Sequence, residues 1–178
     1  MLIAVEIGGT KLQIANGRKN GSIDQIIRGR VNPMEGRKGI LSWIEQNLHS
    51  LIAQSEEKGI KYDAIGVGFG GPIETASGNI FQSVQIEGWS GFNLKEWFEK
   101  KFSIPTFVFN DSSAAGWGEY KLGTGRGTNQ FFYTNIGSGI GGSLIINGTV
   151  ADVEAAVKDV LNVLENTLHF APTVITKS

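Results

Sequence analysis

The chain contains no cysteine. That excludes a disulfide framework and any thiolate-held metal. It also lacks an excess of either charge: Lys+Arg number 16 and Asp+Glu 17, a formal net charge of −1. Neither a nucleic acid nor an anionic membrane surface would find an electrostatic footprint on it. No apolar run is long enough to cross a bilayer. The opening "MLIAVEIGG" has no basic segment and no small-residue cleavage site, so it does not read as a signal peptide, and a soluble cytoplasmic protein is expected. Histidine is scarce. His49 and His169 both fall in helical patterns, with no partner at metal-ligand spacing. No Ser-His-Asp or Cys-His nucleophile arrangement is present, and no zinc motif.

Glycine, by contrast, is abundant, at 25 of 178 residues, roughly twice the usual share. The excess is gathered in a few loops, which marks special backbone geometry rather than low complexity. Around those loops the chain alternates predicted elements. Residues 2–7 and 12–15 read as a hairpin broken by Gly8 and Gly9, with a third strand in "SIDQIIRGRV". Ile40, Leu41, Ile44, Leu48, Leu51 and Ile52 recur at helical spacing, with Gly59 as the stop. "DAIGVGFGGP" reads as a buried strand, "NLKEWFEKKF" as a helix, "IPTFVFND" as another buried strand, and a helix runs from about Ser112 to Gly123. Three strands joined by turns and then β-α repeats predict a mixed five-stranded sheet with flanking helices, the ribonuclease H-like pattern. A second hairpin comes next, with Phe131–Ile136 and Ser143–Ile146 as its arms. "EIGGTKLQIANG" and "NIGSGIGGSLIING" share one format, strand, glycine tip, strand and Asn-Gly, and form a weak internal repeat. The rest predicts a helix with Val153, Ala156, Val157, Val160, Leu161, Leu164 and Leu168 on one stripe, ended by Pro172, and a short strand in "TVIT".

Three of the glycine loops can carry chemistry. Gly137, Gly139 and Gly142 satisfy G-x-G-x-x-G, but a dinucleotide fingerprint needs a helix after the loop, and here a β-rich stretch takes its place. A hairpin tip remains: either an ordinary turn, or one of two tips whose N–H groups converge on phosphate from facing sheets. Asn110 and Asp111 stand where a buried strand meets a helix, the usual ligand edge of an α/β sheet. Asp111 could be a general base, or Asp111 or Ser112 could be a plain N-cap, the reading that the local sequence favours. Gly70 and Gly71, with Pro72, could line a small-molecule pocket or simply turn the chain. Trp89 lines such a pocket or packs, and packing is the better reading.

In order, "EIGGTK", "GVGFGGP", Gly88-Trp89, "FNDSSAAGWGE", "GTGRG" and "IGSGIGG" resemble the motifs of the ROK family of bacterial sugar kinases and regulators, in the sugar kinase–actin–heat-shock ATPase superfamily. The resemblance runs from Met1 to about Gly148. It implies that Gly8, Gly9, Thr10 and Lys11 approach the phosphates of ATP from one side and Gly137, Ser138 and Gly139 from the other. It implies that Asn110 holds a hydroxyl of a hexose beside Gly70 and Gly71. Asp111 would be the general base that takes the proton of the attacking sugar hydroxyl, with Mg²⁺ assisting phosphoryl transfer. A ROK-type repressor would need a helix-turn-helix before the first strand, and the strand starting at Leu2 leaves none expected.

The departures also carry information. Glu6 stands where the family usually has Asp near the metal and phosphates, so its contact with Mg²⁺ is expected to be indirect. "NDSSAAG" replaces N-D-A-N-A-A. After Gly148 the family's E-x-G-H segment and Cys-rich zinc motif are absent, so no zinc site is expected. The expectation is therefore a ribonuclease H-like domain over residues 1–118 and a remnant of a second domain over 119–178, with most of that domain deleted. Kinase activity is expected to be weak or lost, with a non-catalytic nucleotide- or sugar-binding module as the alternative. Self-association through the shortened lobe is expected as well.

Overall fold

The computed structural model describes residues 1–81, 86–136 and 140–151. Strands β1 (Leu2–Ile7) and β2 (Lys11–Gly17) pair antiparallel with Ile7 opposite Leu12, and β3 (Ile23–Arg30) extends the meander. Helix α1 (Gly36–Glu56) then carries the chain back to β4 (Ala64–Phe69), which lies parallel to β1. Two short strands, β5 (Ile73–Glu74) and β6 (Asn79–Ile80), make a small hairpin. Helix α2 (Leu94–Phe102) leads to β7 (Thr106–Asn110), parallel to β4. The resulting order, β3-β2-β1-β4-β7, is the mixed five-stranded sheet anticipated from the element pattern. Helix α2 starts where Asn93 Oδ1 accepts the Glu96 N–H at 2.8 Å, an N-cap bond.

The sheet has two unlike faces, and the period-2 alternation of its strands sets them. Ile3, Val5, Ile7, Leu12, Ile14, Ile65, Val67, Phe69 and Val108 point to one side, where Ile40, Ile44, Leu48 and Leu51 of α1 and Leu94 and Phe98 of α2 complete the core. Trp89 belongs to this core, edge-on to Phe69 and Phe92 with ring centroids 5.1 and 5.7 Å away, so the packing reading of Trp89 holds. His49 lies against the Phe102 ring, in agreement with a structural role. The other face of β4 is made of Ala64, Gly66 and Gly68. Alternating glycines in "IGVGFG" leave that side of the strand bare of side chains while the core side stays apolar.

Helix α3 (Asp111–Leu122) lies over this bare face and also against a second, three-stranded sheet of order β10-β9-β8. Its strands are β8 (Gln130–Ile136), β9 (Ile140–Ile146) and β10 (Thr149–Ala151), all antiparallel. The hairpin at residues 130–146 is as expected, but β9 begins at Ile140 rather than Ser143. Gly141 and Gly142 have low strand propensity and obscure the start. They are required by contact: a Cβ on Gly141 would stand 2.0 Å from Ser112 Oγ, and one on Gly142 2.7 Å from the Tyr133 carbonyl oxygen. The three-residue β10 has too little pattern to be seen in sequence. The helix and strand expected after it lie outside the described residues.

The α3–β9 contact is close at a second point, where a Cβ on Gly116 would stand 1.9 Å from Ser143 Oγ and 3.0 Å from Tyr133 Cβ. The Ser143 hydroxyl is buried and has no hydrogen-bond partner among the described residues. Gly116→Ala should therefore destabilise the fold by about 1–3 kcal/mol despite the better helix propensity of alanine. Ser143→Ala in the same chain should recover most of that loss, as measured by urea unfolding.

Candidate functional site

The site forms where three chain segments end on one edge of the first sheet. Parallel neighbours β1, β4 and β7 finish side by side, with Ile7 beside Phe69 and Phe69 beside Asn110. The tip after β1, the loop after β4 and the start of α3 are therefore adjacent. The first of these is a tight turn: the Gly8 N–H donates to the Lys11 carbonyl at 3.1 Å. That bond uses the Gly8 donor within the turn and leaves Gly9 and Thr10 at its apex. Thr10 and Lys11 are exposed, and Lys11 opens β2 opposite Arg30.

Gly70 is the point of convergence. Its N–H donates to the Ile7 carbonyl at 2.9 Å, tying the loop to the end of β1. A Cβ placed there would stand 3.3 Å from Asp111 Oδ2, 3.4 Å from the Ile7 carbonyl oxygen and 3.6 Å from Gly8 Cα. Neither Gly70 nor Gly8 takes a left-handed φ. The glycines serve close approach rather than unusual backbone. The predicted tip, loop and carboxylate thus meet within a few ångströms of one another.

Asn110 and Asp111 divide the work at the start of α3. Asn110 is in extended conformation (φ −59, ψ 139), and its Oδ1 accepts the N–H of Ser112 at 3.1 Å and of Ser113 at 3.2 Å. It is the N-cap. The sequence reading placed the cap at Asp111 or Ser112, and the structure moves it to Asn110, because that residue still has the β-region backbone a cap requires. The other end of the same side chain, Nδ2, donates to the Gly71 carbonyl at 3.2 Å. Asp111 sits in the first turn, half-buried, where the helix dipole favours a carboxylate. Its Oδ1 accepts the Ser112 N–H at 2.7 Å and lies 3.2 Å from Ser112 Oγ, while Oδ2 faces Gly70.

Below these residues a cleft of about 540 Å³ runs along the glycine face of the sheet. Ala4, Glu6, Gln13, Gly66 and Gly68 form its floor, and Asp111, Ala114, Tyr133 and Asn135 its far wall. Glu6 is exposed in this cleft, its carboxylate held by the amide of Gln13, the residue opposite it on β2. Among the described residues no three His, Asp or Glu side chains gather to hold a metal ion. Gly137, Ser138 and Gly139 lie outside the described residues.

Two site residues escaped the sequence reading. Ser112 is buried, and its hydroxyl reaches both Asp111 Oδ1 and, at 3.0 Å, Asn135 Oδ1 on β8. Asn135 was legible in principle. Superposing "NIGSG" on "EIGGT" puts Asn135 on Glu6, and both line the cleft from opposite sheets.

The sequence model of the ROK family matches residues 2–153. The chain belongs to the ROK family. Among curated relatives of this ROK protein, a glucokinase of Halalkalibacterium halodurans is 31% identical over 150 residues, which cover 83% of this chain and 44% of the relative. An N-acetylmannosamine kinase of Haemophilus influenzae is 28% identical over 145 residues, 82% of this chain and 46% of that protein. Among solved structures, a ROK family glucokinase from Streptomyces griseus in complex with glucose and AMPPNP superposes with a TM-score of 0.71 at 29% identity, covering 84% of this chain and 46% of that one. The ROK chain described here thus spans about half the length of the relatives it matches. No helix among the described residues is long and apolar enough to cross a membrane.

The double use of Asn110 has a measurable consequence. Asn110→Ala removes both the cap and the bond to Gly71 and should lower stability by about 1–2 kcal/mol in urea unfolding. Asn110→Ser keeps a capping oxygen but cannot reach Gly71, and should fall between the two.

Proposed function

We propose that this chain carries the catalytic half-site of an ATP-dependent sugar kinase, transferring phosphate to a hydroxyl of a hexose. The observation that carries the reading is the convergence at Gly70 of the Asp111 carboxylate and the tip at Gly8. Phosphoryl transfer depends on placing an attacking hydroxyl in line with the phosphate, and a base within hydrogen-bond reach of that hydroxyl. Asp111 is the base: one oxygen is fixed by the Ser112 N–H and the other is directed to the Gly70 side, where a sugar hydroxyl would give up its proton. Asn110 offers its remaining amide hydrogen to a neighbouring hydroxyl. Gly70 and Gly71 keep that space free of side chains. Gly9 and Thr10, with Lys11, meet the phosphates from the first sheet, and Gly137, Ser138 and Gly139 from the second.

Mg²⁺ fits this cleft only as a substrate-borne ion. It prefers phosphate oxygens and water with one or two carboxylates, and Glu6 is the carboxylate on the cleft floor. When bound with ATP, the ion would neutralise charge on the transferring phosphate. Glu6 would be the carboxylate that holds the ion, indirectly, at the cleft floor. The units of this reading are a sugar- and base-bearing domain over 1–118 and a phosphate-hairpin lobe over 119–178.

Catalysis needs both lobes to exclude water, so these residues alone are expected to turn over slowly. The second reading is a non-catalytic module that binds nucleotide or sugar. ADP release across a hexose panel separates them. The expected result is slow, sugar-dependent release that Asp111→Asn lowers by about 10²–10⁴-fold. Titration calorimetry of the same variant with an ATP analogue should show unchanged binding. Sugar-dependent release that survives Asp111→Asn would overturn the assignment of the base. Binding without any release supports the module.

A further inference from the structure

Strand β3 ends beside the tip at Gly8, where the Val31 N–H donates to the Thr10 carbonyl at 3.1 Å. What meets each side of the strand fixes its two faces. A Cβ on Gly29 would stand 2.5 Å from the Trp43 ring of α1, so the strand lies hard against that helix, and Ile27 packs on the core. Arg28 and Arg30, on either side of Gly29, are thereby turned to the opposite face, and both are exposed. That face is the one that carries Gln13 and Glu6 of the cleft floor, because Arg28 stands opposite Gln13 and Gln13 opposite Glu6.

The register gathers charge of one sign at this end of the sheet. Lys11, the first residue of β2, lies directly opposite Arg30. Opposed residues stand about 5 Å apart, and Arg28 is about 7 Å further along β3. Like charges in directly opposed positions weaken a sheet. Among the described residues none of these three cations has an ion-pair partner. Glu6, the carboxylate on the same face, is held by the Gln13 amide. The chain as a whole carries a formal net charge of −1, so the cluster is a local arrangement and not a reflection of basic composition. An anion lying across the three side chains would turn the repulsion into attraction, and guanidinium groups match phosphate oxygens two at a time.

We propose that Arg28 and Arg30, with Lys11, form an anion site on the outer strands of the first sheet that takes a chain of linked phosphates. Its place in catalysis rests on the kinase reading. The site continues outward from the tip at Gly9 and Thr10, and it holds the part of the phosphoryl donor remote from the attacking hydroxyl. Its three cations read phosphate and not a base, so the triphosphate of a nucleotide and an inorganic tripolyphosphate are both its ligands. The competing account of the two arginines is protection of an edge. β3 is the outer strand of its sheet among the described residues, and charge on an outer strand hinders pairing with another chain.

Titration calorimetry of the full chain with two probes, inorganic tripolyphosphate and AMPPNP, tests the site. Both should bind, and Arg28→Gln combined with Arg30→Gln should weaken both by about tenfold. Added salt should weaken binding to the unchanged chain more than to the double variant. Urea unfolding gives a second measurement. At low salt without phosphate, Arg30→Gln should be at least as stable as the unchanged chain, because it relieves the repulsion with Lys11, whereas tripolyphosphate should raise the midpoint of the unchanged chain more than that of the variant. Failure of both probes to bind the unchanged chain would overturn the proposal, as would binding that the double variant leaves intact. Binding of AMPPNP alone would assign the contact to the nucleoside and also overturn it. Intact binding with self-association of the double variant by light scattering would assign the arginines to edge protection instead. A chain that binds tripolyphosphate through these arginines but releases no ADP with any sugar would sink the kinase reading and leave the anion site standing.

Discussion

Everything at the site depends on how closely α3 can approach β4. A helix normally rests on a sheet through a layer of side chains, which keeps its first turn well above the strand ends. Here Gly68 removes that layer: a Cβ on it would already touch Asp111 Cα at 3.5 Å and Ala114 Cβ at 4.0 Å, which leaves no room for a longer side chain. The strand keeps its place in the sheet because its alternate residues, Ile65, Val67 and Phe69, are fully committed to the core on the other side. One strand therefore does two jobs by parity. Its odd positions anchor the fold, and its even positions bring a carboxylate down to the level of the loops. Asn110 then locks the arrangement by bonding forward into α3 and sideways to Gly71.

The same economy of side chains governs the second contact of α3. Ser112 and Gly116 meet β8 and β9 where Gly141 and Ser143 leave room. A helix faced with small residues on both sides can sit between two sheets and hold them near each other. The cleft is what remains open beside it, with Glu6 on the floor and Asn135 on the opposing wall. The Ser112 hydroxyl lies within reach of both Asp111 Oδ1 and Asn135 Oδ1, and its single proton is shared between these two acceptors. The two sheets thus meet through a side-chain contact next to the carboxylate and not only through the path of the backbone.

Much of this was legible in the sequence. The order of elements, the mixed sheet and the adjacency of the loops after β4 and β7 come from hydrophobic period and the rules of parallel crossovers. The helix cap was misplaced by one or two residues because Asn, Asp and Ser stand in succession at 110–112 and local chemistry ranks them nearly equal. Only the backbone dihedrals choose Asn110. The start of β9 was obscured because its glycines answer to other elements, Gly141 to α3 and Gly142 to β8. Asn135 was within reach of the internal repeat, but a repeat predicts equivalent positions and not equivalent chemistry, and Asn for Glu breaks the residue match. The glycine alternation in β4 was visible as letters, and its meaning required knowing which element lies on the bare face.

The tie between Gly70 and the end of β1 has one more consequence. The tip at Gly8, the loop at Gly70 and the carboxylate at Asp111 are separated by about sixty and then about forty residues of chain, so bringing them together closes two long loops in succession. The hairpins of the first sheet can form from neighbours alone, whereas the site exists only after both distant closures are made. Its geometry consequently rests on the same long-range pairings, β1 with β4 and β4 with β7, that complete the sheet. Loosening of the sheet far from the cleft would reach Asp111 as lost position before it appeared as lost secondary structure.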